Sequence, residues 1–114
     1  AMSKFDEKLD LYTAEAKKLG ISVDPTLLKA VTKGLGPAIY SNDSSIVAGS
    51  DKSELDRIKT NFLIKKLGLA DSKELDQAIA DAVQKMGAGN KQKHRAIIYY
   101  LLVEKFKKQS VYNK

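Results

Sequence analysis

The sequence predicts an all-α fold, a compact bundle of about five helices that forms a single domain over residues 1–114. Three observations predict it. Apolar residues recur at helical spacing in four segments, and capping residues precede and glycines follow most of these segments. An apolar run of eight residues near the end is extended to helical length by its charged flanks. At 114 residues and 43% hydrophobic content, the chain can bury one core but is too short for two ordinary domains.

The first helix is predicted over residues 4–19, where apolar side chains form one amphipathic stripe. Ser3 is the expected N-cap, and Gly20 is the expected left-handed residue after the helix. The segment "KKLG" that ends this helix recurs at residues 65–68. Both copies are therefore interpreted as helix stop signals rather than as a basic binding motif.

The second helix is predicted to begin with Asp24 as N-cap and Pro25 as its first residue, and to end near Gly34 or Gly36. Residues 41–50 are mostly small and polar and are predicted to form the longest loop. The third and fourth helices are predicted to begin after Asp51 and Asp71, each of which is followed three residues later by a glutamate.

The fifth helix is predicted to begin at Asn90 and to include the apolar run at residues 96–103. This run is compatible with a buried strand, but its charged flanks and the lack of a partner strand favour a buried central helix. Residues 109–114 are expected to form a flexible tail. Ala1 ahead of Met2 is typical of a residue left by an expression vector, so the natural chain is expected to begin at Met2.

Four sequence blocks, "KFDEKLDLY", "AVTKGLGPAIY", "SELDRIKTNFLIKKLGL" and "RAIIYYLLVEKF", occur in this order and cover nearly the whole chain. In these blocks the chain resembles a small bacterial family known only as a domain of unknown function, and is DUF2853-like. The resemblance implies no activity and supplies no catalytic or binding residues.

Charge is distributed unevenly along the chain. The net charge is +6, and residues 1–90 carry equal numbers of acidic and basic residues, so the excess lies in residues 91–114. The start of the predicted fifth helix is especially basic, and cations there oppose the helix dipole. We therefore predict an anion-binding site at this helix N-terminus. Its residues are Asn90, Lys91, Lys93, His94 and Arg95.

An alternative is that these charges are solvated or pair with acids of the preceding helix, such as Asp71, Glu74 or Asp76. Under the anion-site interpretation, removal of Lys91, Lys93 and Arg95 is expected to leave the fold intact. Tyr99, Tyr100 and Tyr112 are further candidates, for base stacking, although core packing is favoured for the two that lie in the apolar run.

The sequence predicts no enzyme, because no combination of acid, base and nucleophile is apparent. The chain has no cysteine and one histidine, so no cofactor, metal site or catalytic residue is predicted. The predicted function is a cytoplasmic, non-catalytic binding module with a basic C-terminal face, and the expected partner is an acidic protein or nucleic acid rather than a membrane. The alternative is a structural or regulatory protein-protein interaction domain, possible as a homo-oligomer such as a homodimer.

Overall fold

The structure is a computed structural model that describes residues 3–112, so the prediction about Ala1 lies outside the described residues. Over this range the chain forms a single bundle of helices without named strands, which confirms the all-α prediction. The helices are α1 (Lys4–Lys18), α2 (Pro25–Gly34), α3 (Lys52–Arg57), α4 (Lys73–Met86) and α5 (Arg95–Lys105), together with 3-10 helices at Gly36–Tyr40 and Gln109–Val111 and a π-helix at Ile58–Lys66.

Three predicted N-caps are confirmed. The Ser3 hydroxyl accepts a hydrogen bond from the Asp6 amide at 3.1 Å. The carboxylates of Asp24 and Asp51 likewise accept from backbone amides two residues ahead. These bonds satisfy amides that have no partner inside the helix.

The predicted cap of α4 differs from the observed one. Ser72 occupies the N-cap position without a side-chain cap bond, whereas the Asp71 carboxylate lies 2.8 Å from the ammonium of Lys59. The local pattern predicts that the Asp71 side chain caps α4, but this side chain instead forms a long-range ion pair with Lys59.

The third helix changes its hydrogen-bonding pattern in the middle. After Arg57 the backbone continues as a π-helix, and its last bond runs from the Leu67 amide to the Phe62 carbonyl at 2.9 Å. Apolar spacing along the sequence predicts a helix here but does not distinguish π from α geometry. Gly68 then ends the helix with φ at 73°, as predicted for the second copy of the stop signal.

Helix α5 is the central helix, as predicted, and packs against α1, α2 and α4. The side chains of Ala96, Ile97, Ile98, Leu102 and Val103 are at most 1% exposed. Tyr100 is also buried, and its hydroxyl accepts a hydrogen bond from the Asp24 amide at 2.7 Å. Tyr100 is therefore a core residue.

The start of α5 differs from the prediction. The helix begins at Arg95 instead of after Asn90, and the residues before it run beside the loop at residues 41–50. The Val47 amide donates to the Lys93 carbonyl and the Arg95 amide to the Ser45 carbonyl, each at 2.8 Å. These two bonds tie the longest loop to the central helix. Among residues 3–112, no helix is long and apolar enough to cross a bilayer.

Candidate functional site

The five residues of the predicted anion site do not converge on one pocket. The Asn90 side chain donates to the Met86 carbonyl at the end of α4 and accepts from the Gln92 amide. The Lys93 ammonium donates to the Asn90 carbonyl at 2.6 Å. Lys91 is exposed. Because α5 begins only at Arg95, Lys91 and Lys93 precede the helix and do not sit on its first turn.

His94 is a buried side chain, only 6% exposed. Its ring lies 5.1 Å from the ring of Tyr12, centroid to centroid. Burial lowers the pKa of His94 below its ordinary value, and Glu15 opposes the shift while Lys8 adds to it. The imidazole is therefore neutral at pH 7 and does not present a positive charge to an anion.

Arg95 is held by three protein acceptors. Its guanidinium donates to the Ser44 carbonyl at 2.6 Å, to the Tyr99 hydroxyl at 3.1 Å and to the Glu54 carboxylate. Glu54 is 7% exposed, and its other oxygen accepts from Arg57 at 3.2 Å. The positive charge of Arg95 is thus compensated inside the protein.

The acid that pairs with Arg95 is not one that the sequence suggests. Asp71 and Asp76 both bind Lys59, at 2.8 Å and 2.9 Å, rather than the basic segment before α5. The cleft of about 440 Å³ beside Arg95 is lined by the carboxylates of Asp43, Asp51 and Glu54 as well as by two guanidinium groups. The three carboxylates outnumber the two guanidinium groups, which does not favour an anion.

A different group of cations lies toward the other end of α5. Chain segments from α2, the π-helix and the C-terminal 3-10 helix meet at Tyr112. A Cβ atom at Gly34 would lie 3.4 Å from Cε1 of Tyr112, and the Lys66 ammonium lies 5.3 Å from the centroid of the Tyr112 ring. We call five lysines near these meeting points the lysine face. They are Lys33, Lys65 and Lys66 in the last turns of α2 and the π-helix, and Lys107 and Lys108 between α5 and the C-terminal 3-10 helix.

The lysine face differs from the segment before α5 in its contacts. Four of its five lysines are exposed and Lys108 is half-buried. Within residues 3–112, no acidic side chain forms an ion pair with any of the five. Their charges are therefore available to solvent and to a partner.

An aromatic cleft of about 220 Å³ opens beside the lysine face. Phe62 and Tyr99 stack in its wall, with ring centroids 3.9 Å apart and an angle of 24° between the rings. Tyr112, Asn61 and Lys66 also line it. Burial and the neighbouring Tyr99 raise the pKa of Tyr112 to about 12, so its hydroxyl keeps its proton at neutral pH.

The sequence offers Tyr99 and Tyr112 as candidates for base stacking but does not predict the cleft that joins them, because Tyr112 lies in the segment predicted to be a flexible tail. Residues 109–111 form a 3-10 helix and Tyr112 packs over Gly34, whereas residues 113–114 lie outside the described range. Flexibility of residues 109–114 stays a prediction. Gly34 gives no signal of this contact in the sequence, because a Cβ atom there would lie at an ordinary contact distance of 3.4 Å from Tyr112.

Comparison with known proteins supports the resemblance found in the sequence. A search of curated proteins gave no match. Residues 11–110 match the family described as Protein of unknown function (DUF2853). This match covers most of the 114 residues, and the chain therefore belongs to the DUF2853 family.

Proposed function

We propose that the protein is a non-catalytic binding domain whose lysine face takes an anionic partner. The observation that carries this proposal is the contrast in pairing. The five lysines of the face have no acidic partner within the described residues, whereas Arg95 is paired with buried Glu54. Cations that a fold leaves uncompensated on one surface attract anions.

This proposal keeps the basic C-terminal face that the sequence predicts but changes the residues that form it. The internal contacts of Asn90, Lys93 and Arg95 and the burial of His94 argue against the start of α5 as the binding surface. Lysines at and beyond the helix ends take over that role.

A purely structural role for these lysines is the competing explanation. Lys33, Lys65 and Lys66 lie in the last turns of helices. A cation there stabilises the helix by about 0.3 to 1 kcal/mol through its interaction with the helix dipole, without any partner. Lys107 and Lys108 lie beyond the last turn of α5, so this explanation is weaker for them.

The alternative of a protein-protein interaction domain has less support. The large apolar residues exposed within residues 3–112 are Leu11 and Tyr40, at 40% and 47%. Two such side chains do not make a patch of several hundred Å², the size that marks an apolar interface. The geometry therefore favours charge over apolar burial as the basis of binding.

The test is binding of fluorescently labelled heparin, a generic polyanion, measured by anisotropy at several salt concentrations. The variant Lys65→Gln, Lys66→Gln, Lys107→Gln should lose most of the affinity and show a weaker salt dependence. A matched control, Lys4→Gln, Lys73→Gln, Lys91→Gln, removes the same charge elsewhere and should retain it. Equal losses in both variants, or no binding by the unmodified protein at low salt, would contradict the proposal.

A further inference from the structure

We infer that the anionic partner is single-stranded nucleic acid, with one unpaired base held in the aromatic cleft and neighbouring phosphates on the lysine face. The inference rests on the proposed function and names its partner. It is carried by the position of an aromatic, mostly apolar cleft directly beside uncompensated lysines, since Lys66 belongs to both.

The size of the cleft sets the size of its occupant. Its volume of about 220 Å³ lies below the range of roughly 300 to 1,000 Å³ that is usual for drug-sized ligands. It exceeds a cavity of about 150 Å³ that is known to admit benzene. One planar ring system is therefore the largest group that enters, and a nucleobase has that size.

The residues that line the cleft can contact both the ring face and the hydrogen-bonding edge of a base. Tyr112 lines the cleft and is only half-buried, so a base in the cleft can contact it. The exposed amide of Asn61 can both donate and accept hydrogen bonds, as the edge of a base requires. The Tyr99 hydroxyl accepts from Arg95 and so directs its own proton elsewhere.

These polar groups favour a base over an aromatic side chain of an acidic protein. A phenylalanine ring has no group that can hydrogen-bond the Asn61 amide, whereas the edge of a base has donors and acceptors for it. Duplex nucleic acid keeps its bases stacked inside the helix, so it can reach the lysine face but not the cleft. A flexible single strand can reach both, which is the usual arrangement of single-strand binding proteins.

The experiment compares single-stranded oligomers of about 12 nucleotides with abasic oligomers of equal length and charge, by fluorescence anisotropy at one salt concentration. Base-containing RNA or DNA should bind about tenfold more tightly than the abasic oligomer, because stacking of even one base has an effect of this size. Duplex of the same sequence should bind no better than the base-containing single strand, although it carries about twice the phosphate charge.

Two variants locate the effect. Tyr112→Leu keeps an apolar group but removes the aromatic face, and should lower affinity for the base-containing strand about tenfold while leaving affinity for the abasic strand unchanged. Asn61→Ala should cause a smaller loss of the same kind. The comparison of oligomers on the unmodified protein needs no variant, so a folding defect in Tyr112→Leu does not remove the test.

Equal affinity for abasic and base-containing strands would overturn the inference and leave the proposed function intact. Tighter binding of a phenylalanine-containing acidic peptide than of the oligonucleotide would also overturn it, in favour of a protein partner. Absence of binding to heparin and to every oligomer would overturn the inference and the proposed function together.

Discussion

Both ends of α5 are basic, but the protein encloses His94 and Arg95 at the start, whereas the lysines beyond the end have no acidic partner in the described residues. At the start, His94 is buried and Arg95 is enclosed by Ser44, Tyr99 and Glu54. At the end, Lys107 is exposed and unpaired within the described residues. The comparison teaches that a basic segment stays available to solvent only where the fold does not supply its own acceptors.

Side-chain chemistry explains the division. The planar guanidinium of arginine can make several directed hydrogen bonds at once, so it can be buried when a carboxylate and two oxygens are in place. The ammonium of lysine is compact and strongly hydrated, and it favours the surface. Arg95 is thus suited to the interior contact, and the lysines at the other end are suited to solvent and phosphate.

The largest expected effect comes from breaking the contact at the start of α5. Arg95→Met should lower the free energy of unfolding by about 3 kcal/mol, because buried Glu54 then keeps only Arg57, whose side chain is 60% exposed. Urea denaturation measures this change. The sequence alone predicts the reverse, that removal of the cations before α5 leaves the fold intact.

A matched pair of variants separates this contact from a general charge effect. Lys91→Met removes one positive charge from an exposed side chain and should leave unfolding unchanged within error. Glu54→Met combined with Arg95→Met should cost less than Arg95→Met alone, since no uncompensated charge remains. A loss below about 1 kcal/mol for Arg95→Met would mean that the ion pair with Glu54 does not hold α3 to α5.

An intermediate effect is expected at the other end of α5, where Lys107 has φ at 55°. Its amide donates to the Glu104 carbonyl and the next amide to the Val103 carbonyl, the bonding pattern that usually places glycine at this position. Lys107→Gly should raise the free energy of unfolding by about 0.5 kcal/mol, as relief of strain exceeds the added entropy of the unfolded chain. Heparin affinity should fall at the same time.

The reciprocal change tests the same physics at a helix that does end in glycine. Gly68 has φ at 73°, and a Cβ atom added there would have no other atom within 4 Å, so Gly68→Ala adds backbone strain without a clash. It should lower the free energy of unfolding by about 1 kcal/mol, measured by thermal or urea unfolding. If Lys107→Gly is destabilising while Gly68→Ala is neutral, the account of both helix ends is wrong.

The parts of the fold that follow local rules could be predicted from the sequence. The caps at Ser3, Asp24 and Asp51 and the stop at Gly68 depend on neighbours within a few residues. Burial of residues 96–103 follows from their apolar character. Such features depend on residues that are close together in the chain, so they can be predicted from a single sequence.

The candidate site could not be predicted because its contacts join distant residues. Arg95 contacts Glu54, which is 41 positions away in the sequence, and the Ser44 carbonyl, which is 51 positions away. No local sequence pattern predicts either contact. The start of α5 is mispredicted for the same reason, because backbone groups of Ser45 and Val47 form hydrogen bonds with Arg95 and Lys93. The aromatic cleft likewise requires Tyr112 to pack over Gly34, from opposite parts of the chain.

The smallest expected effect is a pH dependence confined to the start of α5. Burial lowers the pKa of His94 below its ordinary value of 6.5, and Lys8 of α1 adds to the shift while Glu15 opposes it. In the unfolded chain the imidazole regains its ordinary pKa, so on acidification the unfolded state takes up a proton before the folded state does. Stability should therefore be fully present above about pH 6.5 and decline as the pH falls below it.

Urea denaturation between about pH 7 and pH 5.5 measures this dependence in a window above the range where most carboxylates titrate. His94→Gln should abolish the slope whatever its effect on stability at pH 7, because His94 is the one histidine of the sequence. The lysine-face variant should keep the slope, since it leaves His94 and its neighbours unchanged. A slope that survives in His94→Gln would assign the pH dependence to another group and contradict this account. Stability that rises on acidification would show that the folded imidazole takes up a proton more readily than the unfolded one, and the start of α5 would then regain the charge that its sequence suggests.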